Sequence, residues 1–458
     1  MKIQLSDHFS YGRLLRFTAP SIAMMIFTSV YGVVDGFFVS NYAGKTPFAA
    51  VNLIMPFLMV IATVGFMFGT GGSALVAKSF GEGEPERANR NFSLFVYVSF
   101  ALGVVLAVLG IVFIRPISIR LGAEGALLDN CVVYARIILA ALPFYVLQLL
   151  FQSFFVTAEK PHLGFWFTVG AGCTNMVLDV LMVGIWGWGV EGAAIASAIS
   201  YTVGGVLITA VLWRHPMVSP KGCSLRPDGR VLRPCLKVAL PNMLQRFGTS
   251  LGYVVFASMI NALGQTATAA HTIANTVESA FYIPGFGMQT AAATLSGNAL
   301  GAGDNDRMKR LAHTILPLEV GLMTVSGALL FAFARPLMAM FSSDERVIAL
   351  GSTVLRMVAV SEPFYGVPIV IEGMMQGVGR TLIPFLFNLT GMWGVRIAGT
   401  FVCTRLLGLG LQAAWACMIA HNLLLCLLFS LHFRRGTWNP LNAKGAGGQP
   451  CQETANRV

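Results

Sequence analysis

The second half of this chain repeats the first half about 220 residues later. ALVAKSFGEGEPERANR at 74–90 aligns with TLSGNALGAGDNDRMKR at 294–310, and the tripeptide Pro-Phe-Tyr at 143–145 returns at 363–365. Both copies are strongly apolar, so the repeat predicts a duplicated bundle of membrane helices. Bundles of this kind commonly place a small-molecule site between their two repeats, which makes transport the leading functional hypothesis.

The composition is that of a membrane protein. Hydrophobic residues make up 55% of the chain and charged residues only 11%, with a mean hydropathy of +0.71. A soluble protein carries about 25% charged residues. Apolar runs near the ~20 residues that a spanning helix needs lie at about 14–40, 49–77, 92–114, 132–157, 163–186, 191–213, 236–261, 269–299, 313–334, 352–376, 383–407 and 412–433. The predicted fold is an all-α integral membrane protein with about twelve transmembrane helices.

The apolar runs divide into two sets of six. An even number of spans per repeat brings both copies into the membrane with the same orientation, so the repeats are parallel and not inverted. The predicted domains are an N-terminal lobe at 1–213, a cytoplasmic linker at 214–235 and a C-terminal lobe at 236–435. The polar, Gly-rich tail at 436–458 is predicted to be disordered and cytoplasmic.

The formal charge of +11 comes from Lys and Arg in the N-terminal segment, in every second loop, in the linker and after the last span. By the positive-inside rule, both termini and the linker lie in the cytoplasm of a bacterial cell, and the chain is a multi-pass protein of its inner membrane. This distribution explains the basic excess without a nucleic-acid partner. We expect a monomer within the lipid bilayer.

Motifs for other functions are absent or incomplete. Gly44-Lys45-Thr46 resembles the end of a phosphate-binding loop, but Val39 stands where that loop requires glycine. The eight cysteines show no CxxC or Cys/His ligand spacing. No HExxH motif occurs, so a membrane enzyme is a weak alternative and no cofactor is expected.

Two carboxylates lie deep in the apolar runs of the first half, Asp35 and Asp179. Counting 1.5 Å per residue from the cytoplasmic helix ends places both in the outer half of the bilayer. Asn175 lies one turn before Asp179 on the same face, and Ser197 lies at a similar depth. A carboxylate without a cationic partner there can bind H⁺ or Na⁺ reversibly, as a coupling site must. Alternatively, Asp35 lies only at a helix end near the headgroups.

The second half carries deep groups of both signs. The main candidates are Arg246, Glu278, Glu362 and Arg396. The apolar runs of this half also contain Glu319 and Glu372. Arg246, Glu278 and Glu362 fall near the same depth, which predicts a charge network or part of a substrate cavity. The alternative is that these groups form charge pairs that only hold helices together.

Pro20 lies one to two turns into the first span, and Pro241 lies at the matching place in the seventh. Proline removes a backbone hydrogen bond and bends a helix. Pro20 is therefore the predicted hinge, although prolines are common in membrane helices.

The chain resembles the multidrug and toxic compound extrusion (MATE) transporters over about residues 10–435. The resemblance lies in Pro20, in DGFFV from Asp35, in the AAVNLIMP run, and in NMVLD from Asn175 followed by GAAIAS ending at Ser197, which is typical of the DinF-like branch. It implies a V-shaped, two-lobe antiporter that exports organic cations in exchange for H⁺ or Na⁺. It also implies that Asp35, Asn175 and Asp179 form the cation site.

Two positions depart from the family pattern. Ser197 stands where the family usually has threonine, which keeps the hydroxyl group. The seventh span, 236–261, contains no acid, whereas the NorM-like branch has a coupling acid there. The first lobe is net acidic at depth, which favours cationic cargo. The main alternative is a lipid-linked oligosaccharide or metabolite flippase of the same superfamily, which we expect to have a more cationic central cavity; a non-transporting scaffold is the other.

Overall fold

The computed structural model describes residues 9–38, 42, 45–213 and 229–444, without the side chains of 29–37, 45, 48, 213, 230, 443 and 444. The first half contains α1 (Tyr11–Phe38), α2 (Lys45–Gly81), α3 (Pro85–Arg120), α4 (Gly125–Ala140), α5 (Leu142–Thr157), α6 (Pro161–Asp179) and α7 (Gly189–Trp213). The second half contains α8 (Gly229–Asn261), α9 (Gln265–Phe281), α10 (Ile283–Gly301), α11 (Asn305–Phe341), α12 (Glu345–Ala359), α13 (Glu362–Gly377), α14 (Leu382–Leu389), α15 (Ala398–Phe401), α16 (Leu411–Arg434) and the short α17 (Pro440–Lys444). Wider π-helical turns follow α6 at Val180–Ile185 and flank α15 at Thr390–Ile397 and Val402–Leu406.

Three predicted single spans are each built from two helices. α4 and α5 meet at an angle of 59°, α12 and α13 at 54°, and α9 is separated from α10 at Tyr282. A proline occupies the first or second position of α5, α10 and α13. Proline lacks an N–H and fits the first turn of a helix but not its interior, so each proline begins a new helix. The α4–α5 and α12–α13 breaks occupy equivalent places in the two repeats.

Six described helices are individually long and apolar enough to cross a membrane: α2, α3, α6 with its π-helical continuation, α7, α11 and α16. The bent pairs α4–α5 and α12–α13 raise that number to eight. The remaining predicted spans are also helical over their described residues, in α1, α8, α9–α10 and the region of α14–α15. Within the described part of the chain, helices therefore occupy all twelve predicted positions.

The helices pack as two lobes that share their cores at one end. One buried cluster contains only first-half residues around Ile54 and Leu139, and another contains only second-half residues around Phe256 and Trp415. The other two clusters mix the halves. Leu14, Phe17 and Val156 pack with second-half residues, and Cys235 and Ala239 pack with first-half residues. The lobes are therefore joined at the end where the chain starts and where α2 and α10 end.

Two glycines at equivalent repeat positions make this junction close. A Cβ atom on Gly81 would lie 2.1 Å from the Asn298 carbonyl oxygen, and one on Gly301 would lie 2.0 Å from the Lys78 carbonyl oxygen. The Asn298 side-chain amide also donates to the Ala77 carbonyl at 3.3 Å. The ends of α2 and α10 thus cross with almost no space between their backbones, which only glycine permits.

Ordered structure extends across two predicted boundaries. α8 already begins at Gly229 and Cys235 is buried, so the linker predicted at 214–235 can include only 214–228, which lies outside the described residues. The tail predicted to be disordered from 436 is ordered as far as 444. Trp438 stacks on Phe433 with ring centroids 4.8 Å apart, and the Asn439 amide donates to Asn305 at 2.8 Å. Tertiary docking of one aromatic ring therefore outweighs the polar composition of this segment.

Candidate ion and substrate sites

Asn175, Asp179 and Ser197 lie in the interior of the first lobe. Asn175 is 2% exposed and its side-chain amide donates to the Ser197 hydroxyl at 3.3 Å, across the contact between α6 and α7. Asp179 is fully buried one turn later on the same helix face. It is the last residue of α6 before the π-helical segment Val180–Ile185. Wider turns of this kind often mark functional sites, because they alter the regular backbone hydrogen bonding.

Asp35 belongs to α1, and α1 packs along α6. The side chain of Asp35 lies outside the described residues, so its predicted convergence with Asp179 stays a prediction. Pro20 lies inside α1 and removes one backbone donor from that helix. The carboxylate, amide and hydroxyl oxygens of the described residues suit H⁺ or Na⁺ at the end of a regular helix. Among the described residues, no three His, Cys, Asp or Glu side chains cluster as a site for another metal.

A second polar site surrounds Glu372 on α13. Three glutamine amides donate to its Oε1 atom, from Gln245 at 2.9 Å, Gln289 at 3.0 Å and Gln376 at 3.1 Å. The Asn388 amide donates to its Oε2 atom at 3.1 Å. These donors come from α8, α10, α13 and α14, so one carboxylate connects four helices of the second lobe.

Sequence reasoning noted Glu372 only as one of several deep acids and did not place it in a site. The signal that could have found it is the presence of amide side chains at 245, 289, 376 and 388 within apolar segments. Buried amides require hydrogen-bond partners, and a carboxylate can accept from several donors at once.

Arg246 reaches from α8 toward the first lobe. Its guanidinium group lies over the ring of Phe66 on α2, 4.8 Å from the ring centroid, and the side chain is exposed to a cavity. Glu372 is the carboxylate that attracts it electrostatically. However, no ion pair within 4.0 Å forms between them, since the described ion pairs are Lys78–Glu82, Arg87–Glu82, Arg87–Glu84 and Arg335–Glu345.

Arg396 and Glu278 line a small cavity of about 60 Å³ inside the second lobe. The Arg396 guanidinium is buried between the rings of Tyr253 and Phe256, at 4.8 and 4.5 Å from their centroids. Glu362 is buried nearby and its carboxyl group interacts electrostatically with that of Glu278. Glu278 also interacts electrostatically with Arg396. Among the described residues, no ion pair within 4.0 Å includes Arg246, Glu278, Glu362 or Arg396.

A cavity of about 350 Å³ lies between the two lobes. Its wall combines apolar side chains with hydroxyl and amide groups and includes Met24, Phe66, Thr70, Arg246 and Gln289. A second cavity of about 250 Å³ shares Thr70, Arg246 and Gln289 and extends to Glu372. Drug-sized ligands occupy cavities of about 300–1,000 Å³ that are mainly apolar with a few polar groups, and this space has that character.

The family model MatE matches this chain twice, over residues 20–181 and 241–402. The chain belongs to the MatE family. The two matches are offset by 221 residues, so the family comparison also confirms the internal repeat. The membership confirms the predicted resemblance to MATE transporters, while assignment to the DinF-like branch stays a prediction. It identifies the chain as a membrane-embedded, multi-pass transporter and not an enzyme.

Curated relatives match along most of their length. The probable multidrug resistance protein NorM of Thermotoga maritima is 25% identical over 429 residues, which cover 93% of this chain and 92% of that protein. The probable multidrug resistance protein YoeA of Bacillus subtilis is 27% identical over 410 residues, covering 87% and 88%. A crystal structure of MATE in the bent conformation aligns with a TM-score of 0.88 at 21% identity, covering 96% of this chain and 98% of that one. This structural likeness confirms the all-α, two-lobe fold.

Proposed function

We propose that this family member is a secondary active multidrug efflux antiporter, which exports small amphiphilic molecules in exchange for H⁺ or Na⁺. The names of the relatives from Thermotoga maritima and Bacillus subtilis support the drug-efflux part of the proposal. The observation that carries the coupling part is the buried group of Asp179, Asn175 and Ser197 in the first lobe. An ionised group at this depth is costly, so it is retained where it binds an ion or proton.

The proposed cycle uses the two lobes as moving parts. With both termini in the cytoplasm, as the Lys and Arg distribution predicts, the joined ends of α2 and α10 form the cytoplasmic seal. H⁺ or Na⁺ binds at Asp179, Asn175 and Asp35 and neutralises the carboxylates. Removal of the charge penalty lets α1 bend or shift near Pro20, the cargo leaves, and the lobes then rock to the opposite state.

Export from proteoliposomes tests this proposal. We expect a fluorescent dye to move against its gradient when either a pH or a sodium gradient is imposed, and the effective gradient identifies the ion. Asp179→Asn should abolish gradient-driven export but leave dye binding intact, because the amide cannot change its charge. Asp129→Asn, the same change at an exposed position of α4, is the matched control and should behave as the wild type. Full coupled export by Asp179→Asn would eliminate the proposed coupling site.

A second candidate keeps the fold and changes the cargo. The sequence predicts that a lipid-linked oligosaccharide or metabolite flippase would have a more cationic central cavity, and the position of Arg246 in the cavity wall favours this alternative. Movement of a head-labelled lipid between leaflets of the same proteoliposomes, without dye export, would support the flippase.

A further inference from the structure

We propose that the cavity between the lobes binds the acidic group of its cargo at Arg246, so that carboxylate- or phosphate-bearing amphiphiles are preferred over purely cationic ones. This inference rests on the proposed function, since it names the chemical class of the cargo that the cavity binds. It differs from the organic cations predicted from the acids of the first lobe. The described member of that acidic group, Asp179, lies within the lobe and not in the cavity wall.

The charge of the cavity wall is the first observation. Among the described side chains that line the 350 Å³ cavity, Arg246 is the one with a formal charge. The other polar members are hydroxyl and amide groups, including Thr70, Ser153, Gln289 and Thr290. A wall with one cation and several neutral donors attracts an anionic group and penalises a cation that loses its water.

The second observation is that no described residue accepts a hydrogen bond from the Arg246 guanidinium. Its exposed side chain faces the cavity. Its contact is the face of Phe66, which leaves the N–H groups at the guanidinium edge available. A planar guanidinium presents paired donors that match a carboxylate or phosphate bidentately.

Glu372 does not accept hydrogen bonds from the Arg246 guanidinium. It is the opposite charge that attracts Arg246, but its two oxygens already accept four amide hydrogen bonds. The amides hold the carboxylate on the wall of the adjoining 250 Å³ cavity, beyond the 4.0 Å limit of an ion pair with Arg246. Glu372 therefore moderates the positive potential when the cavity is empty, while the Arg246 donors remain open to a ligand.

The rest of the wall suits an amphiphile. Met24, Met25 and Phe286 contribute flexible and aromatic apolar surface beside Arg246. Thioether side chains adapt to ligands of different shape, which is common at promiscuous sites. An acidic head group at Arg246 would leave its hydrophobic body against these residues.

The first test is binding to the purified full-length protein. The probes are a naphthyl-labelled medium-chain carboxylate, its primary amide and its trimethylammonium analogue. We expect the carboxylate to bind most tightly, and Arg246→Gln to weaken it about tenfold, which corresponds to about 1.4 kcal/mol. The affinity for the amide should stay unchanged, which also shows that the variant folds. Arg246→Lys should recover part of the loss, because it restores the charge without the planar donors.

Arg233→Gln is the matched control, since it makes the same change on an exposed part of α8 away from the cavity. Equal affinity for the carboxylate and the amide, tightest binding of the trimethylammonium probe, or an equal loss of all three probes in Arg246→Gln would overturn the proposal.

Proteoliposomes then separate this inference from the transport proposal. Arg246-dependent binding without movement of any probe under either gradient would contradict transport and leave the acid-binding site standing. Export at a rate that depends neither on the acidic group of the probe nor on Arg246 would contradict the acid-binding site and leave the transport proposal standing. A second arm compares the free carboxylate with a tail-labelled phosphatidylglycerol. Arg246-dependent movement of one or the other shows whether the acidic group belongs to a soluble amphiphile or to a lipid.

Discussion

Gly301→Ala should loosen the junction of the two lobes. The added Cβ would lie 2.0 Å from the Lys78 carbonyl oxygen and 2.9 Å from its carbonyl carbon, so the backbones of α2 and α10 must separate. An ordinary contact of this kind is about 3.4 Å or more, and overpacking at a rigid site typically costs about 1–3 kcal/mol. In the proposed transport cycle, the ends of α2 and α10 touch in one state of the protein and separate in the other. The overpacking cost therefore destabilises only the state in which they touch. A penalty of 1–3 kcal/mol shifts such an equilibrium by about 5- to 150-fold.

Pulsed electron spin resonance between labels at positions 86 and 309 measures this shift. Both residues are exposed near the joined ends, and the native cysteines would be replaced before labelling. We expect the distance distribution of Gly301→Ala to move to longer values, with a lower melting temperature if the joined state also dominates stability. Gly321→Ala is the control, because a Cβ there meets nothing within 4 Å. A wild-type distance distribution in Gly301→Ala would refute the claim that the backbone contact holds the lobes together.

Three further changes test other parts of the structure. Glu372→Ala leaves four amide donors without their acceptor and should lower the melting temperature more than Glu372→Gln, since an unsatisfied buried polar group costs about 1–3 kcal/mol. Trp438→Ala removes the stack on Phe433 and should expose the segment after 436 to protease, while Trp438→Phe should protect it. Ser197→Ala removes the hydroxyl that accepts from Asn175 and should weaken ion-driven export in the vesicle assay, whereas Ser197→Thr should retain it.

The repeat and the apolar runs were sufficient to predict the two-lobe helical fold. Both signals are periodic along the chain and need no knowledge of side-chain contacts. The helix breaks before Pro143, Pro284 and Pro363 were not predicted, because the apolar runs continue across them and proline is common in membrane helices. The order of the segment around Trp438 was missed for a similar reason: its docking partner, Phe433, is a matter of tertiary packing.

The contacts within the candidate sites were also only partly predictable from the sequence. Estimated depth in adjacent helices placed Ser197 at a depth similar to that of Asn175 and Asp179, and in the structure the Asn175 amide donates to the Ser197 hydroxyl. The environment of Glu372 could not be obtained in that way, since its donors lie 127, 83, 4 and 16 residues away along the chain. The charges of the second lobe were expected to pair by sign. Aromatic rings instead contact Arg246 and Arg396, and amides surround Glu372. Sequence separation carries little information about such contacts.

The asymmetry of the two repeats follows from what occupies equivalent positions. At the 221-residue offset of the family matches, Asn175 corresponds to Arg396 and Asp179 to Thr400. Asp179 adjoins the π-helical segment of the first half, and Arg396 lies within one of the second half. In the second lobe the guanidinium of Arg396 lies 4.5 Å from the ring centroid of Phe256. We expect this fixed cation to repel a second one at the same place, which supports the proposal that the coupling ion binds in the first lobe. The duplication therefore supplies two similar scaffolds that differ at these positions, and the proposed coupling site uses the one that carries Asn175 and Asp179.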